Sequence, residues 1–192
     1  MKIQGIKGYN DEKTAVMGES AKLESGNYLC KILNAKCENS KSGNPMLILQ
    51  FDIAEGDFKD YYRQSFEANK KVDANATFKG VFYQNMTGAS LKFYKGVLTS
   101  IEKSNNIKID GENGFDSEIL KEKVFLGRFG EEEYLGNDNQ VKSVTKLRFI
   151  SSTDKKDLPI LDKKVLKDAP KKQDDDSFYS VEENVDEDRL PF

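Results

Sequence analysis

The sequence predicts a β-rich α+β domain followed by a disordered acidic tail. Three observations predict it. Segments with strand-like alternation come as a group of three, then one helical repeat, then a group of two. Stretches rich in Gly, Asn and Ser separate them. Beyond Asp168 the chain turns to Asp, Lys, Ser and Glu, too polar to bury a core.

Residues 1–25 fit neither period. Ile3, Ile6, Tyr9, Val16 and Met17 can pack, so this stretch is expected to lie as an arm on the domain. Residues 26–37 read as the first strand, with Tyr28, Cys30 and Ile32 on one side and Leu29, Leu33 and Ala35 on the other. Two apolar sides at its start predict a long, bent strand with a bulge. Cys30 and Cys37 are the only cysteines. Seven apart in a regular strand, they point to opposite faces. They are read as reduced, buried, small apolar residues, too few for a zinc site.

Turn chemistry fills 39–45. Residues 46–53 form a second strand, with Leu47, Leu49, Phe51 and Ile53 inward and Ile48, Gln50 and Asp52 outward. A third strand is expected over 58–65, with Phe58, Asp60, Tyr62 and Gln64 facing away from Lys59, Tyr61, Arg63 and Ser65. Residues 66–86 read as a polar connection carrying the rings of Phe66, Phe78, Phe82 and Tyr83.

A helix follows over about 90–103, where Leu91, Tyr94, Leu98 and Ile101 share a face. Ser90 can cap it and Asn105-Asn106 ends it. Gly96 inside it is expected to allow close packing on the sheet. Residues 107–116 are loop-like and 117–123 a helical turn. Strands four and five, 124–129 and 141–150, are joined through Gly136-Asn137-Asp138-Asn139. On the fifth strand Val141, Ser143, Thr145, Leu147 and Phe149 face one way, and Lys142, Val144, Lys146 and Arg148 the other. Residues 158–166 hold enough apolar side chains to return onto the body.

Three strands, a helix and two strands is the order of a five-stranded OB-fold barrel with a helix between strands 3 and 4. It would span 26–167, with the disordered acidic tail over 168–192. A generic α+β domain gives the same string.

Composition narrows the function. The chain has no histidine, which removes the commonest general base and metal ligand. It contains no Walker-type loop and no G-x-G-x-x-G. The expectation is a non-enzyme without cofactor or metal. No apolar run reaches the length of a membrane span and no signal peptide pattern opens the chain, so a cytoplasmic protein without membrane contact is expected. The last 25 residues carry nine acids and three bases, leaving a body of 24 acids and 27 bases. A mildly basic body with an acidic tail fits a nucleic-acid binder.

OB-folds bind oligonucleotides across strands two and three, helped by the loops between strands one and two and four and five. Single-strand binders place cations along phosphates and flat rings under bases. The candidates are Lys36 and Lys41 at the first loop, Lys59, Tyr61 and Arg63 on the expected third strand, Tyr83 beyond it, and Lys142, Lys146 and Arg148 on the fifth. Tyr61 and Arg63, two apart on a strand, would point the same way. Glu131-Glu132-Glu133 lies in the expected loop between strands four and five. It would repel phosphate unless it folds away or pairs with Lys or Arg.

The chain closes with Asp186-Glu187-Asp188-Arg189-Leu190-Pro191-Phe192. A stiff Pro, a ring and a terminal carboxylate form a tip that an apolar slot with a basic rim can grip. This tip resembles the acidic tail of bacterial single-stranded DNA-binding proteins, with Arg189 where that family usually has another acid. SGNPMLILQFDI, LKFYKGVLTSIEKSN, GRFGEEEY and VTKLRFISS, in that order, resemble the OB-fold single-stranded DNA-binding proteins of bacteriophages and prophages of Gram-positive bacteria. The resemblance implies a phage DNA replication or recombination accessory that coats single strands in the bacterial cytoplasm. It implies replication and repair partners docked on Leu190, Pro191 and Phe192 and steered by Asp186, Glu187 and Asp188. Homo-oligomers occur among proteins with such tails. The rival readings are a protein-interaction module whose tail mimics the host tail, a single-strand annealing factor, and a metal-dependent nuclease.

Overall fold

The computed structural model describes residues 22–155 and 157–166. The first 21 residues of the expected arm lie outside them, as does the expected acidic tail over 168–192 with all six of its docking residues. Of the arm, Leu23 is buried in the core.

Five antiparallel strands form one sheet in the order β3-β2-β1-β4-β5. They are β1 (Gly26–Asn39), β2 (Pro45–Ile53), β3 (Val81–Asn85), β4 (Val124–Leu135) and β5 (Val141–Ser151), with helix α1 (Tyr61–Lys70) before β3 and helix α2 (Leu91–Asn105) between β3 and β4. The five strands and the helix between the third and fourth are as expected. The position of the third strand is not.

Residues 58–65 are not a strand. Phe58, Tyr62 and Phe66 recur every four residues, a helical spacing. Phe58 just before α1, and Tyr62 and Phe66 within it, turn toward one ring cluster: Phe58 meets Tyr61 at 6.1 Å, Tyr62 meets Phe51 at 5.3 Å and Phe66 meets Phe78 at 5.9 Å, all edge-on. Asp52 starts the helix. Its carboxylate accepts the N–H groups of Tyr62 at 3.0 Å and Arg63 at 2.8 Å, two of the donors that a helix N-terminus leaves unmatched. Asp52, expected to look outward, is therefore buried at 2% exposure. The third strand lies instead in the stretch expected to be a polar connection. Gly80 immediately precedes it, and its carbonyl accepts the Phe51 N–H at 2.8 Å.

Two bulges reset which side chains face the core. In β1 the register steps from Ile32 opposite Phe51 to Asn34 opposite Gln50, leaving Leu33 as the extra residue. Ile32 and Ala35, three apart, are both buried as a result. The bulge also turns Cys37 to the same face as Cys30, because their partners Leu47 and Ile53 share parity on β2. Cys30 is buried and its thiol is pushed up by that burial, outweighing a bond from the Gly127 backbone. Cys37 is exposed at the far end of the strand, so the expectations of opposite faces and of two buried thiols do not hold. In β5 the register steps from Phe129 opposite Leu147 to Arg128 opposite Phe149, leaving Arg148 as the extra residue. Leu147 and Ile150 are both buried and Phe149 is exposed, so Leu147 and Phe149 do not share a face.

The core is a chain of rings and aliphatics inside the sheet's curve. Phe51 lies edge-on to Phe125 at 5.8 Å and to Phe129 at 6.1 Å. Helix α2 closes it with Tyr94, Val97, Leu98 and Ile101, all buried. Leu91, expected on that face, is exposed at the helix start. A 3₁₀ turn at Gly88–Ser90 leads in, and Ser90 makes no side-chain cap. The Asn105 side chain ties α2 to β4, donating to the Val124 carbonyl and accepting its N–H, at 2.8 and 2.9 Å. Asn106 then ends the helix in the left-handed region, with φ 50°. The expected helical turn at 117–123 is a 3₁₀ turn over Ser117–Leu120, and Leu120 is buried.

Residues 158–166 do return onto the body, as a strap. Asn27 donates to the Leu158 carbonyl at 2.6 Å, Arg128 to Pro159 at 3.0 Å and Arg148 to Asp162 at 2.8 Å. At its end Lys164 pairs in parallel with Glu132, beside β4. Its N–H donates to the Glu131 carbonyl, and its carbonyl accepts the Glu133 N–H, both at 2.9 Å.

Candidate nucleic-acid interface

The pairing of β1, β2 and β3 sets out a surface. Lys36 of β1 lies opposite Ile48 of β2, which lies opposite Tyr83 of β3. Directly paired residues share a face, so these three form one cross-strand row. Asn34, Gln50 and Val81 form the next row. Tyr83 is 59% exposed and Ile48 between its neighbours only 6%. Tyr83 thus presents an open ring beside a buried aliphatic neighbour, and an open ring is what base stacking needs.

Lys36 sits at the other end of the row. Its ammonium meets Glu38 at 2.6 Å, with both side chains about half exposed. Such a surface pair is worth about 0–1 kcal/mol. An incoming phosphate can therefore take Lys36 from Glu38 at little cost. Lys41 is exposed in the tight turn between β1 and β2. Asn34 and Gln50 were not expected there; they carry neither charge nor ring, and only the β1 bulge aligns them.

Other expected residues fall elsewhere. Lys59 precedes α1, and Tyr61 and Arg63 sit in its first turn. Two residues apart on a helix, Tyr61 and Arg63 do not share a face. Tyr61 packs edge-on against Phe58 at 6.1 Å and Tyr62 at 5.2 Å, part of the ring cluster on the core. Arg63 stays exposed.

The fifth-strand cations are already paired. Lys142 meets Asp138 at 2.8 Å, Lys146 meets Glu132 at 2.5 Å, and Arg148 lies 3.6 Å from the same Glu132. Glu131-Glu132-Glu133 is in β4 rather than a loop; Glu132 is the acidic partner of Lys146 and Arg148, and all three acids pair with lysines of the strap. Lys163 bridges Glu131 at 3.5 Å and Glu133 at 2.9 Å, and Lys164 reaches Glu132 at 3.6 Å. Burial pushes the Glu132 carboxyl up, but the bond from Lys146 and the charges of Lys146, Lys164 and Arg148 outweigh it and hold it below the ordinary glutamate range. This face is neutralised within the fold.

Among the described residues, no group of three or more Cys, Asp or Glu side chains is arranged to hold a metal ion, and no helix is long and apolar enough to cross a membrane. Comparison with known proteins finds no matching family model and no matching curated sequence.

Proposed function

We propose that this chain binds single-stranded DNA across the outer face of β3, β2 and β1, with little sequence preference and without chemistry of its own. The row Lys36–Ile48–Tyr83 carries the reading: an open ring and a displaceable cation on the two strands that flank β2, with buried Ile48 between them. A ring stacks on any base and a lysine holds any phosphate, so such a surface is tolerant of sequence. The strand order supports the same reading. Joining β3 to β5 would close β3-β2-β1-β4-β5 into the five-stranded barrel of an OB-fold, whose second and third strands and first loop bind oligonucleotides.

On this reading the protein coats single strands during phage replication or recombination. Its C-terminal Leu190, Pro191 and Phe192 recruit partner proteins behind the charges of Asp186, Glu187 and Asp188. The pairing of Lys142, Lys146 and Arg148 with acids favours one second reading, an interaction module in which the body presents the tail.

Fluorescence anisotropy of labelled oligo-dT at two salt concentrations separates them. Single-strand binding gives affinity that falls with salt, with a log–log slope of about −0.7 per phosphate held. No binding at low salt would sink the proposal and leave the interaction module.

A further inference from the structure

Strands β3 and β5 are the two edges of the sheet, and α2 lies beneath the gap between them. A groove of about 460 Å³ runs along this seam. Its walls carry three rings, Phe82, Phe93 and Phe149, and three cations, Lys92, Arg148 and Lys155, and no carboxylate. Three cavities are larger: two of about 550 Å³ have Glu102 in their walls, together with Asp110 and Glu112 or with Asp154, and one of about 530 Å³ has Glu55 and neither ring nor cation. Among these cavities only the seam groove combines several rings with lysines and has no carboxylate in its walls.

Its details are those of an open site. Phe93 is 57% exposed and Phe149 47%. The Lys92 ammonium lies 5.0 Å from the Phe93 ring centre, and the guanidiniums of Arg148 and Arg128 lie 5.7 and 5.9 Å from that of Phe149. Neither Lys92 nor Lys155 has an acidic partner within 4.0 Å among the described residues. Gly96 also lines the groove. It was expected to allow close packing, yet a Cβ built on it meets nothing within 4 Å. A mid-helix glycine weakens a helix, and among the described residues no neighbour requires one here. The open space above it lets a flat group approach the helix backbone.

We propose that the seam groove is a second single-strand subsite, in which Phe93 and Phe149 stack bases and Lys92 and Lys155 hold the phosphates between them. This rests on the single-strand reading above. Tyr83 and Phe82 are neighbours on β3 with opposite parity, so a strand leaving the Tyr83 face crosses the β3 edge into the groove. An extended peptide fits less well. It would need a regular ladder along an edge, and the bulge at Arg148 breaks that ladder on β5.

The test uses the full chain and dT oligomers stepped through about 4 to 16 nucleotides, the range of a single OB-fold site. Phe93→Ala with Phe149→Ala is expected to weaken the longest oligomers about 10-fold or more and to leave the shortest unchanged. Gly96→Leu should cause the same length-dependent loss while its melting temperature holds or rises, since it fills the groove and improves the helix. If wild-type protein binds and these variants match it at every length, the groove subsite is refuted and the Tyr83 face stands. If wild-type protein binds no oligomer, the single-strand reading fails and the subsite with it. A labelled acidic peptide whose binding needs Phe93 and Phe149, with dT binding indifferent to them, would overturn the proposal in favour of a peptide groove.

Discussion

Asp52 of β2 holds the start of α1 through Arg63. Its Oδ2 accepts the Arg63 N–H at 2.8 Å, while Oδ1 accepts those of Tyr62 and Ile53 at 3.0 and 2.9 Å. Asp60, at the helix's own cap position, makes no side-chain cap and sits at φ 56°. A carboxylate distant in sequence has taken over the work of a local cap. Asp52→Ala leaves buried N–H groups without an acceptor, and should cost about 2 kcal/mol. Asp52→Asn should also destabilise, because its amide NH2 would face at least one of the three N–H donors. Asp60→Gly should be neutral or stabilising, since glycine holds positive φ without strain. Urea midpoints at unchanged m-value test all three.

Gly80 sets the spacing of β3 against β2. A Cβ there would lie 2.2 Å from the Phe51 carbonyl oxygen and 2.9 Å from the Tyr62 ring. The first of these is backbone and cannot swing aside. Gly80→Ala should cost about 3 kcal/mol, in the range of an overpacked core. It should also loosen β3, so the Tyr83 platform is lost with stability. Thermal unfolding and amide exchange across Val81–Asn85 measure both effects, and a variant as stable as the parent would contradict this packing.

What was legible in the sequence was periodic. The β2 alternation from Leu47 to Ile53 and the α2 face through Tyr94, Leu98 and Ile101 are visible because one side of each is apolar and the other is not. Tyr61-Tyr62-Arg63 misled because adjacent rings suit a strand, and the spacing of Phe58, Tyr62 and Phe66 was the better guide. The Asp52 cap was invisible, since its partner lies 11 residues away and only tertiary packing brings them together. The bulges at Leu33 and Arg148 were illegible in position for the same reason. A bulge shifts parity without a residue type of its own, and so Cys37 and Phe149 each changed sides. Of the expected binding residues, Lys36 and Tyr83 meet on one face because their parity was undisturbed between bulge and turn.

That face predicts a contrast among lysines and rings. Tyr83→Ala should weaken oligo-dT binding by about 1–3 kcal/mol, the value of one stacked base. Lys36→Ala should lower the salt slope by about 0.7, one phosphate fewer. Lys146→Ala should leave both nearly unchanged, because its partner Glu132 is largely buried at 14% exposure and keeps Lys146, whereas Glu38 is half exposed. Anisotropy titrations of the three variants at two or more salt concentrations decide the matter. An effect of Lys146→Ala equal to that of Lys36→Ala would move the interface to β5.

The strap over 158–166 should be acid-labile. The Lys163 bond and the Leu166 N–H hold the Glu133 carboxyl below its ordinary value. The Ser143 hydroxyl, with Lys163 and Lys22, does the same for Glu131. For groups depressed in the folded state, the stabilising contribution is present above the unfolded value near 4.5 and is lost as pH falls through the lower folded values. Lys163 is raised chiefly by its bond to Glu133, so its own loss of charge lies far on the alkaline side. Protection of the Lys164 and Glu133 amides, which bond across strap and β4, should therefore fall below about pH 4 after correction for intrinsic exchange. High salt at neutral pH should weaken it less, because the backbone bonds and the Arg148 bond to Asp162 are not simply screened. Protection that persists unchanged to pH 3 would mean that these backbone bonds, rather than the glutamates, hold the strap.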